Sequence, residues 1–259
     1  MREKHNALIF DTETTMMNEK PFLAYHIGGC FGNVYSDKSK PLMFEYYVEE
    51  LIANPKNFEH TFVDKETGER KFWKYDSRYA PVLADAWKHK DKVKPFEEII
   101  EIFSAYLDCA DSVASYNWAF DKQAIKKTVL ELSHVDYKDI DGVPAWCIMD
   151  CYATRMINHH YFNMVDNLPE HERLQFKSKS GKNYGYSAEC MARWIFDAHY
   201  YTEQHTALDD AKLEYDLARH FVRKHRQEWN THFLGKPKTV SWRKIRDKLS
   251  GAEKMRQRV

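Results

Sequence analysis

An unbroken apolar run at residues 7–10, Ala-Leu-Ile-Phe, leads directly into Asp11-Thr12-Glu13-Thr14-Thr15. Consecutive apolar residues are what a strand buried on both faces of a sheet requires. Side chains alternate along a strand, so Asp11 and Glu13 project to one face and Thr12 to the other. Two neighbouring carboxylates at the end of a buried strand repel each other and resist losing water. A divalent cation relieves both penalties, and hard oxygen ligands at this density suit Mg²⁺ or Mn²⁺ better than zinc. The alternative is a strand that ends in a polar turn, with Asp and Thr side chains bonding their own backbone.

A chain of 259 residues, 43% hydrophobic and 15% aromatic, suffices for one elaborated domain with a sizeable core. Lys+Arg and Asp+Glu both number 39, so net charge selects no partner. Its distribution is more telling. Beyond residue 222 the acids are only Glu228, Asp247 and Glu253 among many Lys and Arg residues, an asymmetry compatible with a polyanionic partner. The cysteines are five, an odd number that fits no secreted disulfide framework. Cys147, Cys151, Cys190 and His159 do not have the spacing of a compact zinc module. With no signal peptide and no membrane-spanning run in view, a reducing cytoplasm is the expected compartment.

Residues 22–31 and 42–48 read as second and third strands, so an antiparallel meander opens the sheet. Residues 54–95 look irregular and contain a hairpin, with strands at 61–63 and 71–73. Its aromatic residues either stack on bases or pack the hairpin onto the body. A helix is expected over 95–107, a strand over 112–116, and then a helix that Asn117 can cap. Asp121 lies on the apolar face of that helix with Ala124 and Ile125. A carboxylate there calls for a partner, a helix-dipole role being the alternative. Residues 146–149 read as a strand, and Asp150 as the cap of a helix over 151–157. A loop-rich stretch runs to about residue 186. Its segment with Lys177, Lys179, Gly181 and Lys182 reads as a phosphate-contacting loop or an ordinary solvated one. A helix over 187–198 follows. In the last helix, Thr206 and Asp209 have capping-box spacing, while Asp210 shares an inward face with Leu213 and Leu217. His205 lies in the loop just outside, able to swing.

Asp11, Glu13, Asp121 and Asp210 with one imidazole supply what two-metal phosphodiester hydrolysis needs: terminal and bridging carboxylates for cations roughly 4 Å apart, and a base near neutral pKa. The ordered series Asp11-x-Glu13-Thr14, Asn117-Trp118-Ala119-Phe120-Asp121, and His205 followed five residues later by Asp210 resembles the DnaQ-like 3′→5′ exonucleases, DEDDh subtype. The resemblance covers residues 7–222. It implies an α/β, ribonuclease H-like fold, a mixed five-stranded sheet flanked by helices. It also implies release of nucleoside 5′-monophosphates from a nucleic-acid 3′ end. By the same resemblance, Asp11 bridges two Mg²⁺ or Mn²⁺ ions, Glu13 and Asp210 complete the site of the water-activating metal, and Asp121 serves the second. His205 is the general base. Thr12, Thr14 and Thr15 approach the terminal nucleotide, and Asn117 and Phe120 support it or face it.

Two features depart from that family. The His-Gly-Ile-type segment often found after the third strand is missing, and residues 54–95 occupy its place as an insertion. The basic extension, 223–259, lies outside the match, and its segment 241–249 reads as a basic helix that contacts phosphates or docks on the body. The lysine-rich loop and the 203–210 run are similar to DnaQ-like exonucleases of tailed bacteriophages, which would place the protein in a host cytoplasm. DNA is the expected substrate, as single strands or ends, with RNA as the alternative. A polymerase-associated proofreading subunit would use the same chemistry with a partner. A non-catalytic nucleic-acid-binding protein on the same fold is the competing class.

Overall fold

The structure, a computed structural model, describes residues 4–15, 22–58, 60–63, 67–73, 79–134, 137–155, 157, 159–177, 184–197 and 206–237. Its strands are β1 (Asn6–Thr14), β2 (Ala24–Asn33), β3 (Leu42–Val48), β4 (His60–Val63), β5 (Arg70–Trp73), β6 (Val93–Lys94), β7 (Ser112–Ser115) and β8 (Ala145–Cys147). All but β4 and β5 form one mixed sheet, in the order β6-β3-β2-β1-β7-β8. The β1-β2-β3 meander is antiparallel, as expected, while β7 runs parallel to β1 and β8 parallel to β7. Strand β1 therefore lies near the middle, and Ala7, Leu8, Ile9 and Phe10 are fully buried. The expected sheet had five strands; the sixth, β6, is a two-residue strand parallel to the edge of β3. So short an element carries no periodicity of its own and forms only because the β3 edge is there to pair with it.

The α-helices of four or more residues are α1 (Glu49–Ile52), α2 (Tyr79–Lys88), α3 (Phe96–Cys109), α4 (Trp118–Leu132), α5 (Ile148–Arg155), α6 (His159–Asn167), α7 (Glu170–Arg173), α8 (Ala188–Ile195) and α9 (Ala207–Lys224) among the described residues. They lie on both faces of the sheet. Phe10 meets Phe103 of α3 at 5.1 Å and Trp118 of α4 at 6.1 Å, both edge-on. The next residue, Asp11, points to the opposite face, which α9 covers. Gly28 of β2, paired with Asp11, makes that approach possible. A Cβ there would lie 2.3 Å from the Ala207 carbonyl carbon and the Leu208 nitrogen. The missing side chain lets the first turn of α9 rest on the sheet beside β1.

Some local expectations need correction. Residues 54–95 hold the hairpin β4-β5 but also α2, with Leu83 and Ala86 buried. The stretch before residue 186 holds α6, with Tyr161 and Val165 fully buried. Asp150 is not a cap: α5 begins at Ile148, so Asp150 lies inside its first turn. Beyond α9, Trp229 and Phe233 are buried in a single π-helical turn, with Trp229 edge-on to His5 at 4.8 Å and to Trp146 at 5.4 Å. The start of the basic extension thus packs into the body. Segment 241–249 lies outside the described residues. Among the described residues no helix is long and apolar enough to cross a membrane.

Candidate active site

The carboxyl end of β1 is where the two faces of the sheet meet. Asp11 and Glu13 project toward α9, and Asp210, in the first turn of α9, meets them there. One carboxylate oxygen from each of Asp11, Glu13 and Asp210 lies within 4.8 Å of the others. The register of β1 on β2 slips between Glu13 and Thr14, an irregularity of the kind that re-aims side chains at the end of a ladder. Thr206 holds the start of α9. Its hydroxyl accepts the Asp209 N–H at 3.2 Å and donates to the Asp209 carboxylate at 2.9 Å, so Thr206 caps the helix and Asp209 is tied to that cap.

Asp121 arrives from the other face, on α4, and is 2% exposed. Thr12, pointing away from Asp11, donates its hydroxyl to Asp121 Oδ1 at 2.8 Å and its N–H to the same oxygen at 3.3 Å. Thr12 is therefore buried, and its side chain is engaged with the fourth acid. A cavity of about 200 Å³ joins the two faces. Its lining includes Asp11, Asp121, Asp210, Asn117 and Phe120, all picked out in the sequence, together with Tyr116, Met149, Ser187, Ala188 and Glu214.

Glu214 is the acid that sequence reasoning missed. It lies one turn beyond Asp210 on α9, is 3% exposed, and accepts the Tyr116 N–H through Oε2 at 2.9 Å. Its signal was the i, i+4 spacing from Asp210, which puts both on one face. Asn117 occupies the N-cap position of α4, where its carbonyl accepts the Phe120 N–H at 2.8 Å, but its side chain makes no capping bond. Phe120 stacks on Phe22 at 5.1 Å, the rings nearly parallel. Thr15, just past β1, pairs with Leu23 through both hydroxyl and N–H. Thr14 ends β1 opposite Ala24. His205 lies outside the described residues.

The electrostatics follow from enclosing like charges. Loss of water, followed by the charges of Asp121, Glu214, Glu13 and Asp210, holds the Asp11 carboxyl well above the usual carboxylate range. Burial likewise pushes Asp121 up to about 6, against the downward pull of the Thr12 hydrogen bonds. Among the described residues that line the cavity there is no basic side chain. The donor set is all carboxylate, hard and anionic, which fits Mg²⁺ or Mn²⁺ and not a soft metal.

No family model matches the chain, and no curated protein matches it by sequence. Solved structures of similar shape include a 3′-exonuclease recognising the 3′ end of the histone mRNA stem-loop. It is 12% identical with a TM-score of 0.52, over 89% of this chain and 84% of that one. The nuclease domain of 3′hExo, a DEDDh family member bound to rAMP, is also 12% identical, with a TM-score of 0.53 over 86% and 94% of the chains. Exonuclease I of E. coli, in complex with a dT13 oligonucleotide, is 13% identical, with a TM-score of 0.50 over 88% of this chain and 43% of that one. The fold is that of the ribonuclease H-like exonucleases. This chain spans less than half the length of exonuclease I but most of the other two.

Proposed function

We propose that the chain is a 3′→5′ exonuclease, dependent on divalent cations, that removes nucleoside 5′-monophosphates from DNA ends or single strands. The observation that carries this reading is the convergence of Asp11, Glu13 and Asp210 within 4.8 Å, with Asp121 in the same cavity. Acids this crowded are costly unless cations offset their charge. Asp11, Glu13, Asp121 and Asp210 would hold two Mg²⁺ or Mn²⁺ ions. When bound, these ions supply a water of lowered pKa and stabilise charge on the phosphate and the leaving oxygen.

The residues of the chain do the rest. His205 accepts the proton of the attacking water, whose oxygen forms the new bond to phosphorus. The bond from phosphorus to the O3′ of the preceding nucleotide breaks, and that oxygen takes up a proton. A nucleoside 5′-monophosphate and a strand shorter by one unit leave. Thr12 acts by orienting Asp121. Thr14, Thr15, Asn117 and Phe120 border the place where the terminal nucleotide would lie, and the Phe120–Phe22 pair gives it an apolar wall.

The neighbours of similar fold are described with a stem-loop RNA, rAMP and a dT13 oligonucleotide, so the same chemistry on RNA is the second reading. The test is degradation of DNA and RNA strands labelled at either end, with Mn²⁺ or with EDTA. Stepwise loss of monophosphates from the 3′ end, abolished by EDTA, is the expected result. In His205→Ala, turnover falls by roughly 10²–10⁴-fold while Mn²⁺ still binds. Absence of metal-dependent degradation on every strand would leave a nucleic-acid-binding protein on a nuclease fold.

A further inference from the structure

We propose that the cavity between α9 and the connection from β2 to β3 is a second binding site, one that takes a phosphate group. It encloses about 400 Å³ and shares no lining residue with the acid cavity. Lys212, Tyr215, Asp216 and Arg219 line it from α9, at the i, i+3, i+4 and i+7 spacing of a single helix face. Asp37, Lys38, Lys40 and Pro41 line it from the connection. Both acids are already matched: Arg219 donates to Asp216 at 2.7 Å, and Arg223 donates to the Asp37 carboxylate at 3.2 Å. Lys212 reaches Asp209 at 2.9 Å. Lys38 and Lys40, both exposed, pair with no carboxylate among the described residues. The Ser36 hydroxyl accepts the N–H groups of Lys38 and Ser39, each at 3.2 Å, and so ties down the backbone that carries them. The cavity keeps an excess of positive charge, which favours an anion.

Tyr215 points to a ligand independently. It is 1% exposed, and its hydroxyl has no hydrogen-bond partner. That hydroxyl lies beside Gly32 and Pro41. A Cβ on Gly32 would come within 2.7 Å of it and 3.1 Å of the Pro41 α-carbon. Neither neighbour has a polar side chain, and proline has no N–H. Burial pushes the phenol up to about 12, so it stays protonated and offers a donor. A buried donor left unmet is costly, and an anion entering past Lys38 and Lys40 would accept from it. A phosphate group answers both needs, with charge for the lysines and several strong acceptor oxygens for the hydroxyl. Met43, 54% exposed at the rim, offers an apolar contact to whatever the phosphate is attached to. The group can come from free phosphate or from the backbone of a nucleic-acid strand.

The test uses the full chain in EDTA, titrated by calorimetry with inorganic phosphate, against chloride of equal ionic strength, and with a short oligothymidylate. Tyr215→Phe removes only the hydroxyl and is expected to bind about 10-fold more weakly. Lys38→Glu combined with Lys40→Glu reverses two exposed charges and is expected to bind about 10-fold more weakly as well. Both variants are expected to melt at or above the wild-type temperature, since neither change breaks a contact of the fold. Should Tyr215→Phe not fold, the lysine variant decides alone. Binding of inorganic phosphate with this dependence supports the proposal and makes free phosphate sufficient; binding of the oligonucleotide alone supports it and makes a strand the source. No binding of either probe beyond chloride overturns it, as does unchanged affinity in either variant. A lower melting temperature in Tyr215→Phe also overturns it, because the hydroxyl would then serve the fold. With EDTA present, none of these outcomes depends on the exonuclease reading.

Discussion

Two enclosed polar clusters are built around neighbouring strands, β1 and β2, and their carboxylates shift in opposite directions. In the first, Asp11, Glu13, Asp121, Asp210 and Glu214 gather with no cation among the described cavity-lining residues, and Asp11 and Asp121 are pushed up. In the second, His26 of β2, fully buried and stacked on Tyr47 at 4.0 Å, contacts Glu45 through Nε2 at 3.0 Å. Lys92 donates to the other Glu45 oxygen at 2.5 Å. Burial alone would raise Glu45, yet the hydrogen bonds from His26 and Lys92 outweigh it and hold the group at about 2. The second cluster carries its own counter-charge and is complete as folded. Among the described residues that line the first cavity no basic side chain is found, and on the proposed reading bound cations would offset its charge.

The largest effect that tests this contrast is on catalysis. Asp210→Asn is expected to lower exonuclease turnover by on the order of 10⁴-fold, while the metal-free protein melts no lower than the wild type, since a repelling charge is gone. An end-label assay and a thermal melt in EDTA check both halves, and a marked loss of stability would erase the distinction between the clusters.

Next in size is the balanced cluster. Glu45→Gln leaves Lys92 without its counter-charge and is expected to cost about 2–3 kcal/mol, below the range for a wholly buried pair because the Lys92 side chain is 35% exposed. Urea unfolding measures it. Mn²⁺ affinity is expected to stay at the wild-type value, and a change there would mean that the clusters are not independent.

The smallest effect is on pH dependence. A carboxylate whose folded pKa lies above its unfolded one contributes stability that is whole below the unfolded pKa and is lost as pH rises through the folded one. For Asp121 that window runs from 3.8 to about 6, and Asp11 acts in the same direction. Glu45 acts in reverse, its contribution present above 4.5 and lost as pH falls toward about 2. Metal-free protein is therefore expected to lose a few degrees of melting temperature from this cluster between pH 4 and 6, and Mn²⁺ at pH 7 is expected to restore them. Melting curves with EDTA and with Mn²⁺ would sharpen the contrast, and identical curves would weaken it.

Much of this arrangement is written in local pattern. The alternation in Asp11-Thr12-Glu13 places two acids on the α9 face and Thr12 against α4, where its hydroxyl meets Asp121. Asp121 and Asp210 stand out because a carboxylate on an apolar stripe is conspicuous. Glu214 escapes notice for the opposite reason. It lies between Leu213 and Tyr215 in a helix where glutamate is an ordinary helix former, and its task depends on a backbone N–H that only the tertiary fold brings near. The elements missed outright, β6, α1, α2, α6 and α7 among them, are short. Elements of this length are marginal on their own and owe most of their stability to tertiary packing.

The buried turn at Trp229 bears on how the protein can be handled. A chain cut at residue 222, where the resemblance to exonucleases ends, would strip Trp146, Tyr35 and His5 of an indole they pack against. Such a fragment would bare aromatic surface on the side of the molecule that carries the chain's first strand. Any insolubility would then reflect the place of the cut and would say nothing about the proposed active site.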